Sequence, residues 1–195
     1  DIRSSERRFY QQITDIYAEC SIDYDYNSEI TREFFATVQN KLHWAITKQT
    51  AAEIIVFRAN HEKEKMGLTN WKNSPDGKIR KSDVSIAKNY LTEDELKPLN
   101  RIVSMYLDYA EDQAEQGNVM NMKDWAEKLN AFLQFNQKDI LQNSGKVTTA
   151  IAKEFAENEF EKYKPIQDKL FESDFDKELK KLRMNNYELR KDDGK

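Results

Sequence analysis

Apolar residues in this chain recur at helical spacings along almost its full length. Phe9, Ile13, Ile16, Tyr17 and Cys20 fall on one face of a helix from about Ser4 to Glu19. An acidic, tyrosine-rich loop, Ser21 to Asn27, follows. Asn27 or Ser28 can cap a second helix, Glu29 to about Lys48, with Phe34, Val38, Leu42, Ala45 and Ile46 inward. Thr50 and Glu53 form a capping-box pattern, so a third helix is expected from there to about Asn60. The pattern then breaks over residues 62–81. Ser82 and Asp83 can cap a short helix through Tyr90.

Thr92 to Glu95 is a second capping box, with acidic residues in the first turn where the helix dipole favours them. That helix is expected to reach about Gln116, with Leu96, Leu99, Val103, Tyr106 and Ala110 inward and Gly117 at its end. The next spans about Met122 to Gln142, its apolar stripe being Trp125, Leu129, Phe132, Leu133 and Ile140; Asn143 to Gly145 closes it. A long charged helix starts near Thr148 and passes Phe155, Phe160 and Tyr163, and Pro165 is expected to kink or end it. A last short helix would carry Phe175, Leu179 and Leu182 before a fraying tail. The expected fold is all-α, a bundle of about six to eight helices. Its core domain covers 1–147, and a charged C-terminal helical arm covers 148–195.

Composition supports this class and removes others. The 195 residues include 5 glycines and 3 prolines, where ordinary usage would give about 14 and about 10. Sandwiches, barrels and doubly wound folds need many more such turn residues. Neither GxGxxG nor GxxxxGK[ST] occurs, so a glycine-rich phosphate loop is excluded. Charged residues make up 34 % with a net charge of -4, which leaves no overall polycation for non-specific DNA binding. Aromatic content of 11 % argues against disorder. A lone cysteine, Cys20, cannot close an internal disulfide. The longest apolar stretch, Ala51 to Phe57, is interrupted by Glu53 and too short for a bilayer. The absence of an initiator Met suggests a fragment or trimmed product.

Candidate chemistry is sparse. Cys20, His43 and His61 match no zinc spacing, and no metal or cofactor is expected. His43 lies between Leu42 and Trp44, either as a half-buried core histidine or as a general acid/base facing a cleft. Glu53 and Arg58 are its plausible companions, although Glu53 can equally be a simple capping residue. Glu6, Arg7 and Arg8 sit near a helix N-terminus, where the basic pair could grip phosphates or merely line a charged face. From 58 to 81 the chain carries seven Lys/Arg against three Asp/Glu. In that region Trp71 is interleaved with Lys72, Lys78, Arg80 and Lys81, a mixture that can stack a base while tracking a nucleic-acid backbone. Trp71 can also simply staple the loop to the helices. Arg58 and His61 stand too close together for a HEPN-type ribonuclease pattern.

Several runs together carry a resemblance: Ile2 to Tyr10 (IRSSERRFY), Phe34 to Ala45 (FFATVQNKLHWA), Met66 to Lys72 (MGLTNWK), Lys88 to Leu91, Leu99 to Glu111 (LNRIVSMYLDYAE) and Met122 to Trp125. They are similar to the C-terminal region of the RhuM-type virulence protein family, over most of residues 2–182. Glu6, Arg7, His43, Trp71, Lys72, Arg101 and Asp124 stand inside those runs, and His61 outside them. The resemblance implies a bacterial, cytoplasmic protein linked to virulence or mobile elements, with a DNA-binding region N-terminal to this one. It supplies no catalytic residues. On this footing the chain is expected to be an interaction and assembly module, a homo-oligomer through its C-terminal arm, with possible DNA contact through the preceding region and no membrane. The alternative is an enzyme acting on nucleic acid or nucleotide, with a cleft built from Glu6, Arg7, His43, Glu53, Arg58 and Trp71.

Overall fold

The computed structural model describes residues 2–143, 145–170, 176 and 179; the side chains of residues 2–10 and of Ile30 lie outside that description. Among the described residues six α-helices follow in order: α1 (Ile2–Cys20), α2 (Glu29–Thr47), α3 (Ala51–Arg58), α4 (Glu93–Glu115), α5 (Met122–Phe135) and α6 (Thr149–Leu170). Short 3-10 turns occupy Glu64–Gly67 and Ala87–Tyr90. The described residues form no β-strand. A single bridge between Ser21 and Met120 ties the end of α1 to the start of α5. The fold is all-α, and the sequence-expected helix starts hold well. Ser28 caps α2, while Thr50 and Thr92 close capping boxes with Glu53 and Glu95.

One core runs through the bundle. Ile13 and Tyr17 of α1 meet Tyr106 and Ala110 of α4, and the Tyr17 and Tyr106 hydroxyls share a 2.8 Å hydrogen bond. Burial pushes both phenols up from their ordinary pKa, so both stay protonated. Trp125 of α5 packs 4.7 Å from the Tyr17 ring and donates through Nε1 to Ser21 Oγ at 3.0 Å. Every polar atom of this aromatic layer therefore has a partner, as its burial requires.

Four elements depart from expectation. α5 ends at Phe135 rather than near Gln142, because Gln137 turns left-handed (φ 56°) and the Lys138 amide bonds back to the Leu133 carbonyl at 2.9 Å. Ile140 thus packs on the core from an irregular segment. Residues 82–85 are turns, not a helix start: the Asp83 carboxylate takes the amides of Lys72 (3.1 Å) and Arg80 (2.9 Å) and staples the basic loop. Pro165 does not end α6, which continues to Leu170. Two residues beyond it, the Gln167 side-chain amide accepts from the Ile79 amide (2.8 Å) and donates to the Ile79 carbonyl (3.2 Å). Burial of Tyr163 and Gln167 on either side offsets the hydrogen bond that proline cannot make.

The fourth departure concerns the expected arm. Ala152, Ala156, Phe160 and Tyr163 of α6 belong to the same core as α1–α5, and α6 packs along α3. Position 147 does not divide a body from an arm over residues 149–170. Small residues at 152 and 156 let α6 approach α3 closely, and sequence polarity on its other faces had masked that seam. The expected last short helix, with Phe175 and Leu182, lies outside the described residues.

Between α3 and α4 the chain makes a left-handed turn, with Lys65, Met66 and Gly67 all at positive φ (52°, 57° and 81°). Met66 is fully buried and anchors the turn. A Cβ on Gly67 would stand 2.4 Å from the Arg58 carbonyl oxygen, so the close approach of this turn to α3 requires glycine.

Candidate functional site

His43 stands on α2 and Glu53 and Arg58 on the neighbouring α3, the latter two held by their own partners. His43, on α2, is 2 % exposed. Burial first, then the positive charges of Lys88 and Arg58, push its imidazole down to about 4, so it is neutral at pH 7. Its Nδ1 has no hydrogen-bond partner among the described residues. Glu53 is 6 % exposed. One carboxylate oxygen accepts from the Thr50 amide (2.8 Å) and the other from the Lys146 amide (2.9 Å). Burial opposes its charge, but those amides more than offset it and hold the carboxyl below its ordinary value. Glu53 therefore both caps α3 and pins the segment leading into α6.

Arg58, in the last turn of α3, makes a two-pronged pair with Glu95 of α4 at 2.6 and 2.7 Å, and donates to the Tyr90 carbonyl at 3.0 Å. The guanidinium, set against a smaller burial penalty, draws the Glu95 carboxyl down to about 2. The pair locks the start of α4 onto the end of α3. The side chains of Glu6 and Arg7 lie outside the described residues.

The basic loop is equally committed. Trp71 is 5 % exposed, and its Nε1 donates to the Gly77 carbonyl at 2.6 Å, so its ring faces inward instead of offering a stacking platform. Lys72 and Arg80 are exposed, with their backbone amides on Asp83. Lys78 pairs with Asp168 at 2.7 Å, and Lys81 with Glu157 and Glu161 at 3.4 Å each. These acids form one flank of α6, which neutralises much of the loop's charge within the chain. His61 joins the same helix: its amide and Nδ1 both reach Glu159, at 2.8 and 2.6 Å, and Lys162 adds a third contact at 2.7 Å. Burial opposes the Glu159 charge, but Lys162 and His61 prevail and hold its carboxyl at about 2.

Sequence reasoning missed a different region. α4 and α5 diverge along an outward groove of about 590 Å³ lined by Met105, Asp108, Tyr109, Phe132 and Phe135. Tyr109 and Phe132 stack at 5.5 Å and form its floor. Phe135 is 87 % exposed and Met105 also faces solvent. The available signal was an apolar side chain out of register with the inward stripe: Met105 beside Tyr106, and Phe135 beyond Leu133. A smaller recess of about 460 Å³, with Tyr26, Arg32 and Phe35, lies at the start of α2. Among the described residues no cluster of His, Cys, Asp and Glu could hold a metal ion, and no helix is long and apolar enough to cross a membrane.

These features define an all-α helical module whose interior polar groups are mostly used for internal ties and whose outer edge carries an apolar groove. The sequence model of the Virulence protein RhuM family matches residues 1–172, and the chain belongs to that family. Neither curated proteins nor solved structures yield a match.

Proposed function

We propose that this chain is the helical interaction and assembly module of a RhuM-family, virulence-associated protein of the bacterial cytoplasm. It self-associates and so positions a DNA-binding region that precedes it in the longer protein. The observation that carries this reading is the contrast between committed polar groups and open apolar ones. His43 is sealed, Glu53 caps a helix and Arg58 is consumed by Glu95. Phe135 and Met105, in contrast, stand in solvent beside a groove. Exposed aromatic and methionine side chains at a concave edge are the usual material of a protein interface.

Light scattering over a range of concentrations tests the reading. The chain, 23.1 kDa, is expected at a mass of two or more copies. A single-copy mass at every concentration would contradict self-association. A competing reading, an enzyme on nucleic acid or nucleotide around His43, Glu53, Arg58 and Arg7, draws on one observation: the unpaired Nδ1 of His43. Under assembly, a folded His43→Leu protein keeps the cellular phenotype. Its loss in a stable variant would favour the enzyme.

A further inference from the structure

α6 presents three different sides. One is buried on α3 through Ala152, Ala156 and Phe160. A second carries Glu157, Glu161 and Asp168, which are tied to Lys81 and Lys78 of the basic loop. The third has apolar side chains open to solvent, and its one ion pair among the described residues is Lys162 with Glu159 of the same helix, at 2.7 Å. Ile151, Phe155 and Ile166 are exposed there, with Lys162 and Lys169 at spacings that place all five one above another along the helix. Polarity alone does not explain this side, because a solvated face has no need of two isoleucines and a phenylalanine.

The α4–α5 groove is the complement of that stripe. It offers an aromatic floor and two exposed apolar rims, and its one charged lining residue is acidic, Asp108, with Asp112 a turn further along α4. Asp108 on the groove and Lys169 on the stripe each have no ionic partner among the described residues. A helix face with apolar residues and a lysine flank suits such a groove, in the manner of an amphipathic helix laid into an apolar cleft.

We propose that a second copy of this chain is the occupant: the Ile151–Phe155–Ile166 stripe of α6 in one copy docks into the α4–α5 groove of another, with Lys169 meeting Asp108. The inference rests on the assembly reading above and names the surfaces that perform it. The contact is between unlike surfaces, so every copy carries both halves of it.

Unlike halves permit a test by mixing. Phe135→Glu disables the groove, and the double change Ile151→Glu with Ile166→Glu disables the stripe. All three positions are exposed, so circular dichroism and urea midpoints should match those of the wild type. Each variant alone should run at single-copy mass, its self-association weakened on the order of thirtyfold or more. Mixed one to one, the groove-dead chain still has a stripe and the stripe-dead chain still has a groove, so a two-copy species should reappear. A mixture that stays single-copy, or variants that keep the wild-type mass, would overturn this docking mode. A wild-type chain that is itself single-copy at all concentrations would instead remove the assembly reading beneath it.

Discussion

The surroundings of α3 and the α4–α5 edge differ in which side chains they leave without a partner. Around α3, His43, Glu53, Arg58, Glu95, His61 and Glu159 hold the charge and titratable chemistry that would first suggest a catalytic cleft. All but His43 are bonded to named groups of the chain itself. At the α4–α5 edge, residues that normally make a core, Met105 and Phe135, face water. Chemistry-bearing side chains that are internally satisfied hold a fold together. Apolar side chains left outside need something to cover them. Function in this molecule is therefore sought at its apolar edge.

The largest expected effect probes the committed region. Trp71→Ala should lower stability by about 3–5 kcal/mol in urea denaturation, because a buried indole and its bond to Gly77 are lost together. Were Trp71 a stacking platform for nucleic-acid bases, the same change would leave the urea midpoint in place and weaken nucleic-acid binding alone.

His43 gives the next effect through pH. Its imidazole titrates at about 4 in the folded chain and near 6.5 when unfolded, so the unfolded state binds the extra proton first. Stability is full above about 6.5 and falls as pH drops through that window, by roughly 3 kcal/mol at pH 4. In His43→Leu that component disappears, and the urea midpoints at pH 7 and pH 4.5 should converge relative to the wild type. Unchanged pH dependence would place His43 in contact with water.

Glu95→Gln should cost about 1–3 kcal/mol, since the Arg58–Glu95 pair is only about a quarter exposed (24 % and 25 %) and two-pronged. The sign with pH follows from the depressed carboxyl. Its contribution is present above about 4.5, the ordinary value, and is lost as pH falls toward about 2. The glutamine variant should lose this acid-side component, measurable as a flatter stability profile below pH 4.5. Phe135→Glu stands at the other end: a stability change within about 0.5 kcal/mol, as expected for an exposed position.

The contrast also explains what was legible in the sequence. Capping boxes at Thr50 and Thr92 are local signals, and both helices start where those residues place them. The inward stripe of α4 was readable for the same reason: Leu96, Leu99, Tyr106 and Ala110 follow helical spacing. α5 stops early because of a left-handed Gln137, a residue with no intrinsic preference for that conformation, so no local signal marked it. The packing of α6 depends on α3 and on Gln167 reaching Ile79, contacts between residues far apart in sequence. Of the aromatic residues along this charged helix, Phe160 and Tyr163 turn inward while Phe155 faces out. The site was harder still. Residue type pointed to His43 and Arg58, but only tertiary structure reveals that His43 is sealed and Arg58 spent on Glu95. The groove requires two helices to diverge, which periodicity in either one does not record.

The most direct test of the central claim is the mass of Phe135→Glu and His43→Leu by light scattering, side by side with the wild type. The account predicts a multi-copy wild type, a single-copy Phe135→Glu with an unaltered urea midpoint, and a His43→Leu protein that assembles as the wild type does. A Phe135→Glu protein that keeps the wild-type mass would contradict it.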